Sequence, residues 1–391
     1  MIELKYMYLL YLFCLIPVLI GFLLSLFNDK IAIKEWLIAS GVAFLLAVPI
    51  HCHSYRSQVG DYETWSGKIV SAKYYSAWQE YYEEAIYKTE VYYTGSGKDR
   101  TRHTRQVFSH WSSRRRWHGE YFICYSNINT NYHISKEQYL YFVNKFDNQI
   151  TVNGYRRTSK HNSRMIAGDP NDYETHLNNS SFVEPITIVK YYENRVKATP
   201  SVFNFVKVPK EVPVFEYPEN KNNWISDRVL GTASNVINIR LWDEMNARLG
   251  PSKRLNVIII GFDSSDSFLA EQQRAKWIGG KKNDLVLCYG QGWAKVFGWS
   301  ESDICKRNIE TILLKNTINN NIIPLVEKEI YENYKKREFT EDFAYLSVEP
   351  SGNHWLTFIV LMVLVQSGLY ITFHFHDVGD TSIRCIVRKV N

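Results

Sequence analysis

KWIGGKKNDLVLCYG, Lys276 to Gly290, sets two glycines, two lysines and an Asn-Asp pair directly ahead of an apolar run. Its reading decides whether this half of the chain is a nucleotide fold or a sheet entered through a tight turn. A phosphate loop places GxxxxGK plus Ser or Thr after a strand and before a helix, so that amides at the helix start cradle phosphate. Here the order is reversed. DSFLAEQQRAKW upstream has helical spacing, and NDLVLCYG downstream has the pattern of a buried strand. Gly279 and Gly280 therefore read as a left-handed helix stop, and Lys281 and Lys282 as cations suited to the negative end of the helix. Asn283-Asp284 reads as the turn into the strand.

Working outward, residues 232–249 (TASNVINIRLWDEMNARL) show helical spacing and should end at Gly250-Pro251. LNVIIIGF is a continuous apolar run typical of a strand buried on both faces. WAKVFGW reads as a third strand, and SESDICKRNIETILLKN and NNIIPLVEKEIYENYKKREF as two further helices. Strands alternating with helices predict an α/β domain over 224–350. Residues 52–206 have a different rhythm of short aromatic, β-branched runs: WSGKIVSAKYY, AIYKTEVYY, GEYFICYSN, NQITVNGY and FVEPITIVKYY. TGSGKD at 94–99 reads as a hairpin tip. Ser135 with Gln138 forms a capping-box pattern ahead of one helix. This half is expected to be a β-rich domain. Between them, 207–223 holds Pro209, Pro213 and Pro218 and reads as a semi-rigid linker.

Three apolar segments set the rest of the architecture. Tyr6–Phe27 has no charge and is long enough for a bilayer, which needs about 20 residues. It exceeds a signal peptide's apolar region of ~7–15 residues and lacks a small-residue cleavage pattern, so it reads as a retained helix. The second, Trp36–Ile50, reaches a spanning length if it begins at Ile31. The third, Trp355–Phe373, carries Gln366, whose amide should bond another helix. Lys30 and Lys34 mark the 28–34 loop, and Arg384, Arg388 and Lys389 mark the basic tail, 374–391. The positive-inside rule puts both in the cytoplasm and residues 52–354 in the periplasm or exterior. The expected fold class is thus an α+β membrane protein, with helices 1–51 and 355–373 flanking the two soluble domains.

Composition narrows the function classes. The 391 residues carry a net charge of +6, compatible with nucleic acid or anionic lipid without requiring either. Twenty-seven tyrosines, 20 phenylalanines and 11 tryptophans suit strands and interaction surfaces. The six cysteines, at 14, 52, 124, 288, 305 and 385, form no CxxC pair, which removes zinc-ribbon and thioredoxin readings. They read as buried thiols, with a Cys52–Cys124 disulfide as the alternative for a periplasmic domain. Overlapping glycosylation sequons at Asn178 and Asn179 matter only in a eukaryotic secretory setting.

The order LNVIIIGF, helix, KWIGGKKNDLVLCYG, WAKVFGW and two helices resembles a TPM domain over about 255–337, with Trp277, Gly280, Asn283 and Asp284 carrying most of the likeness. More widely, two N-terminal helices, ETWSGKIVSAKY, a GDP turn at 168–170, WIGGKKND, FAYLSVEP and a last helix resemble membrane proteins of tailed bacteriophages. Many of those carry a cysteine-rich loop where this chain has KDRTRHTRQVFSHWSSRRRWH. The TPM resemblance implies an envelope-anchored domain, in some members a phosphatase or calcium binder using carboxylates at strand ends. Asp263, Asp266 and Asp284 stand at the matching positions, as ligands for a hard cation such as Ca2+ or Mg2+. The residue-level alternative is that Ser265 or Asp266 caps the following helix. The residues alone call for no cofactor and name no catalytic group: HExxH, GxSxG and paired glutamates are all missing.

The basic stretch 98–118 is the other candidate. Arg100, Arg102, Arg105, Arg114, Arg115 and Arg116 interleave with Trp111 and Trp117, a pattern for phosphate and stacking contacts. A periplasmic location favours an anionic envelope component or a protein partner; nucleic acid becomes the partner only if this region is cytoplasmic. The histidines among them lack ligand spacing for zinc. The function expected from the sequence is a non-enzymatic, membrane-anchored envelope protein, phage-encoded and seated in the bacterial inner membrane. A TPM-type phosphatase is the alternative.

Overall fold

The computed structural model describes residues 11–27, 33–97, 100–145, 150–153, 163–167, 172–176, 183–220 and 227–375. The sequons, the GDP turn, the 28–32 loop and the tail from 376 lie outside them.

One unbroken helix leads into the β-rich half. Helix α2 (Ile33–Val59) passes directly into strand β1 (Gly60–Tyr75) with no loop. The helix had been expected to stop near Ile50, yet it continues through HCHSYRSQV. Polar contacts hold that extension: Tyr55 Oη donates to Glu193 (3.0 Å) and Gln58 Nε2 to the Glu349 carbonyl (2.8 Å). Among the described residues, two helices are long and apolar enough to cross a membrane, Leu37–Val59 within α2 and Gly352–Phe373 within the last helix, α10 (Gly352–Phe375). Of the first expected span, residues 6–10 lie outside the described residues, and α1 (Ile16–Phe27) belongs to a shorter apolar helix. The three pack through small residues and amides. Ala39, Ala43 and Ala47 form a fully buried stripe on α2, and Gln366 Nε2 donates to the Ala39 carbonyl at 2.9 Å, the interhelical bond its position called for.

β1 is long enough to serve two partners. Gly60–Lys68 pairs antiparallel with β9 (Pro185–Glu193), and Ile69–Tyr75 pairs with β4 (Tyr121–Ser126) and β8 (Asp172–His176). β5 (Asn131–Ile134) and β6 (Ile150–Asn153) complete a six-stranded sheet. Helix α3 (Lys136–Lys145) covers it with Tyr139 and Phe142. Its start is the reciprocal capping box: Gln138 N donates to Ser135 Oγ (3.2 Å) while Ser135 N donates to Gln138 Oε1 (3.0 Å). β2 (Trp78–Thr94) and β3 (Thr101–His118) form a separate long ribbon, joined near its base by β7 (Ser163–Ala167).

The second half is a three-layer α/β unit. Strands β10 (Val229–Gly231), β11 (Asn256–Gly261) and β12 (Asp284–Gly290) are parallel, and β13 (Trp293–Phe297) returns antiparallel. Alternate residues serve opposite layers. Val257, Ile259, Leu285 and Leu287 pack under α5 (Ile239–Lys253), α7 (Asp303–Lys315) and α8 (Ile322–Asn333), while α4 (Arg195–Ala198) and α9 (Phe339–Asp342) are single turns. Ile258, Ile260, Val286 and Cys288 pack under α6 (Phe268–Lys276). That two-sided burial is why both strands read as unbroken apolar runs.

Two expectations change here. α5 does not stop at Gly250-Pro251 but runs to Lys253, ending where Arg254 turns left-handed at φ 49°. The described part of the 207–223 segment is extended, as its prolines require, but it is docked rather than bridging. Phe215 exchanges both backbone groups with the Gln273 amide (2.8 and 3.0 Å), and its carbonyl also accepts from Trp277 Nε1 (2.9 Å).

The β-rich and α/β halves touch at backbone level. A Cβ on Gly250 would lie 1.6 Å from the Ser66 carbonyl oxygen of β1. Since that obstacle is backbone, Gly250→Ala should force α5 off β1, costing about 1–3 kcal/mol. A thermal melt showing no drop would mean the halves are less closely joined.

Candidate functional site

The 276–290 turn is a helix stop of unusual length. Ile278, Gly279 and Gly280 all have positive φ, at 52°, 80° and 85°. Gly279 N reaches back to the Arg274 carbonyl (2.8 Å), closing the end of α6. A side chain at 279 would also strike the Trp299 ring, 2.5 Å from the site of a Cβ. The glycine and turn readings hold, but the lysines do something else.

Lys281 and Lys282 cross to the first half. Lys281 Nζ pairs with Asp61, and Lys282 Nζ with Glu63 at 2.9 Å. Asn283 Nδ2 follows by donating to the Thr64 carbonyl at 2.8 Å. Asp61 and Glu63 are two apart on β1, so both project to one face. Three successive residues of the turn thus clamp three positions of one strand. Asp61 also accepts from Asn194 Nδ2 (2.7 Å) and Tyr192 Oη (3.0 Å). Burial acts to raise its pKa, but the Lys281 ammonium and these donors hold the carboxyl below the usual carboxylate range.

Asp284 is fully buried and accepts from Asn256 Nδ2 (2.8 Å), Tyr217 Oη (2.9 Å) and Lys281 N (2.7 Å). Burial pushes its pKa up to about 6 against the pull of those donors. Below it, Arg228 is 1% exposed and spends its guanidinium on Asn256 Oδ1 (2.6 Å), Asp243 (2.9 Å) and Ser66 Oγ (2.9 Å). One polar network therefore runs from β1 through the N-terminal edge of the α/β sheet.

The three carboxylates expected as metal ligands are not brought together. Asp284 opens β12 beside Asn256, the first residue of β11, whereas Asp263 lies just past the far end of β11. A strand length of about 20 Å separates them. Asp263 accepts from Gln291 Nε2 (3.0 Å), and Asp266 Oδ1 accepts from Phe268 N (2.9 Å) at the start of α6. Asp266 thus satisfies the first amide of the helix, one residue ahead of the N-cap position Ser267. Among the described residues, no cluster of three His, Cys, Asp or Glu is arranged to hold a metal ion.

The arginine- and tryptophan-rich stretch is the outer strand of the ribbon, paired from Trp78–His118 to Thr94–Thr101. A register shift opposite Ile86 and Tyr87 adds one residue to β3 and changes which side chains share a face. As a result Trp117, Trp111 and Phe108 fall on the same side as Tyr81, Tyr87 and Tyr93. These six are 40–67% exposed, with Arg102 and Arg115 set among them. The opposite face holds the ion pairs Arg105–Glu90 (3.2 Å), Arg114–Glu84 (3.6 Å) and His118–Glu80 (2.7 Å). Arg116 belongs to that face as well, across from Glu80. Arg100, beside the tip, stacks over Tyr93 with its guanidinium carbon 4.3 Å from the ring centre.

No family model, curated protein or solved structure matches this chain.

The sequence reading missed Asp61, Tyr192, Asn194, Tyr217 and Arg228. The alternation DYE at 61–63 opposite a KK pair was the only local sign, and it has no specificity. The cysteines are simpler. Cys124 is buried and Cys52 exposed, and both are free thiols rather than a disulfide. Burial lifts the Cys124 thiol to about 11 and Cys305 to about 12, leaving them inert.

Proposed function

We propose that this chain is a non-enzymatic, membrane-anchored presentation protein whose β2–β3 ribbon binds a partner in the bacterial envelope. Its apolar helices sit in the inner membrane, as a multi-pass anchor, and residues 52–354 face the periplasm. The carrying observation is the ribbon's division into two faces. One is ion-paired and solvated; the other exposes tyrosine, phenylalanine and tryptophan beside two arginines. Aromatics and arginine are the residues that dominate binding energy at interfaces. A contiguous exposed aromatic face is unusual unless something covers it. The ribbon's arginines suit a protein partner with acidic groups, or an anionic envelope component.

The phage-membrane and TPM likenesses agree with an anchored envelope role. The phosphatase alternative requires Asp263 and Asp284 to share one ion, and a strand length stands between them. Nucleic acid remains the partner of the opposite topology, in which the soluble region is cytoplasmic.

A photo-crosslinking residue placed at 117 or 93 in cells should trap the partner, while one at 90 or 116, on the ion-paired face, should not. Equal capture from both faces, or from neither, would sink the ribbon assignment. Sidedness has its own readout in Cys52, which is exposed where Cys124 is not. A membrane-impermeant maleimide should label it from the periplasmic side of intact cells. Labelling only after lysis would reverse the topology.

A further inference from the structure

A cavity between the apolar helices and the β-rich half has a volume of about 750 Å³ and is lined by His51, Tyr55, Arg56, Tyr191, Glu193 and Arg195, among others. Its size falls in the range of ligand sites. Its position follows from the sequence. The apolar run of α2 ends at Ile50, and His51, Tyr55 and Arg56 fall on one side of the next turns. The last helix begins at the same level, with the His354 ring tilted at 56° to that of His53 and 5.4 Å between ring centres.

The chemistry of the walls is mixed in a specific way. Arg56 is exposed and, among the described residues, its guanidinium has no carboxylate or carbonyl partner. Arg195 is held in place from behind, donating from Nη1 to the Ala344 (2.6 Å) and Leu346 (3.3 Å) carbonyls. Glu193 faces them and takes a hydrogen bond from Tyr55 Oη on one oxygen, at 3.0 Å. His51 is only 9% exposed, and among the described residues its buried Nδ1 has no hydrogen-bond partner. A buried polar atom of that kind is costly unless something satisfies it.

We infer that this cavity is a binding site for a phospholipid headgroup. Arg56 and Arg195 take the phosphate, and Glu193 accepts from the ammonium or hydroxyl group beyond it. His51 supplies a further polar contact on the wall, and Tyr191 covers the glycerol end. The two cations and one carboxylate match a headgroup that pairs a phosphate with a hydrogen-bond donor. Phosphatidylethanolamine and phosphatidylglycerol have such a donor; phosphatidylcholine keeps the phosphate and lacks it. The site rests on the anchored reading, because only a chain in a membrane holds Ile50 at the acyl boundary and His51–Arg56 among headgroups.

The full chain in dodecyl maltoside, probed by native mass spectrometry with each lipid, tests the assignment. Phosphatidylethanolamine and phosphatidylglycerol should be retained about tenfold more tightly than phosphatidylcholine, the scale of a charge-assisted hydrogen bond. They should also slow maleimide labelling of Cys52, which lies on the same wall. Arg56→Gln should lower their retention about tenfold with an unchanged melting midpoint, since it removes no existing bond. Glu193→Gln should narrow the preference over phosphatidylcholine. Arg274→Gln, on the exposed surface of α6, should change neither. Equal retention of phosphatidylcholine, or undiminished retention by Arg56→Gln, would overturn the site. Displacement of lipid by equimolar soluble phosphoethanolamine would overturn the lipid source in favour of a free phosphate ester. Release of the chain from membranes by alkaline carbonate would defeat the anchored reading instead. An anchored chain with equal phosphatidylcholine binding would defeat the headgroup site alone.

Discussion

Arg228→Met should destabilise the soluble region by about 3–5 kcal/mol, the cost of breaking a buried ion pair by removing one member. The magnitude follows from what the guanidinium serves. It holds Asp243 on α5, Asn256 at the head of β11 and Ser66 on β1, so its loss strands a buried carboxylate and an amide oxygen together and leaves the Ser66 hydroxyl only Thr187. Methionine fills much of the volume, which isolates the polar loss from a cavity cost. Because Ser66 belongs to the first half and the other two to the second, the substitution should also loosen the junction. Denaturation of the full chain in detergent should show an earlier midpoint. Limited proteolysis should find new cleavage between the halves. Ser66→Ala, which deletes one partner only, should cost about 1 kcal/mol. If Arg228→Met melts within 1 kcal/mol of the parent chain, the network is not what couples them.

This network also marks where sequence reading stops. Elements with local causes are legible: the capping box at Ser135, the two-sided strands β11 and β12, and the glycine stop at 279–280 each follow from neighbouring residues. The amide of Gln366 could be assigned to a helix partner because an apolar setting leaves it few others. The clamp was not legible. Lys281 and Asp61 are 220 residues apart, and an ion pair at that separation leaves no periodicity behind. Viewed alone, GGKK could be assigned only to its own helix end. The ribbon shows a subtler limit. Basic and aromatic residues were evident, but a single extra residue in β3 moves Trp111 and Trp117 onto the face of Phe108. Strict alternation would have left Phe108 on the face opposite the two tryptophans. The carboxylates failed for a topological reason: parallel strands put the start of β12 beside the start of β11, and therefore far from Asp263.

Lowering the pH from 7 to 5 should stabilise the soluble region, against the usual behaviour of carboxylate networks. Asp284 is the cause. Burial raises its folded pKa to about 6, whereas an unfolded aspartate titrates near 3.9. Between those values the folded state binds the proton that the unfolded state has released. Its contribution is therefore fully present below about pH 4 and is lost as the pH rises through about 6, a difference of roughly 3 kcal/mol at neutrality. Asp61 has the opposite sign. Lys281 and its hydrogen-bond donors depress its folded pKa, so its contribution is present above the unfolded value and is lost as the pH falls below it. The two carboxylates share one junction through Lys281, whose ammonium pairs with Asp61 and whose amide donates to Asp284. Stability should accordingly peak near pH 4, where the unfolded carboxyls titrate and the two slopes cancel. Asp284→Asn should flatten the limb from pH 5 to 7, whatever it does to absolute stability, and leave the acid limb in place. Asp61→Asn should do the reverse. A melting midpoint that varies between pH 5 and 7 in Asp284→Asn as it does in the parent chain would show that another group titrates there, and that Asp284 is held as an anion by its three donors despite its burial.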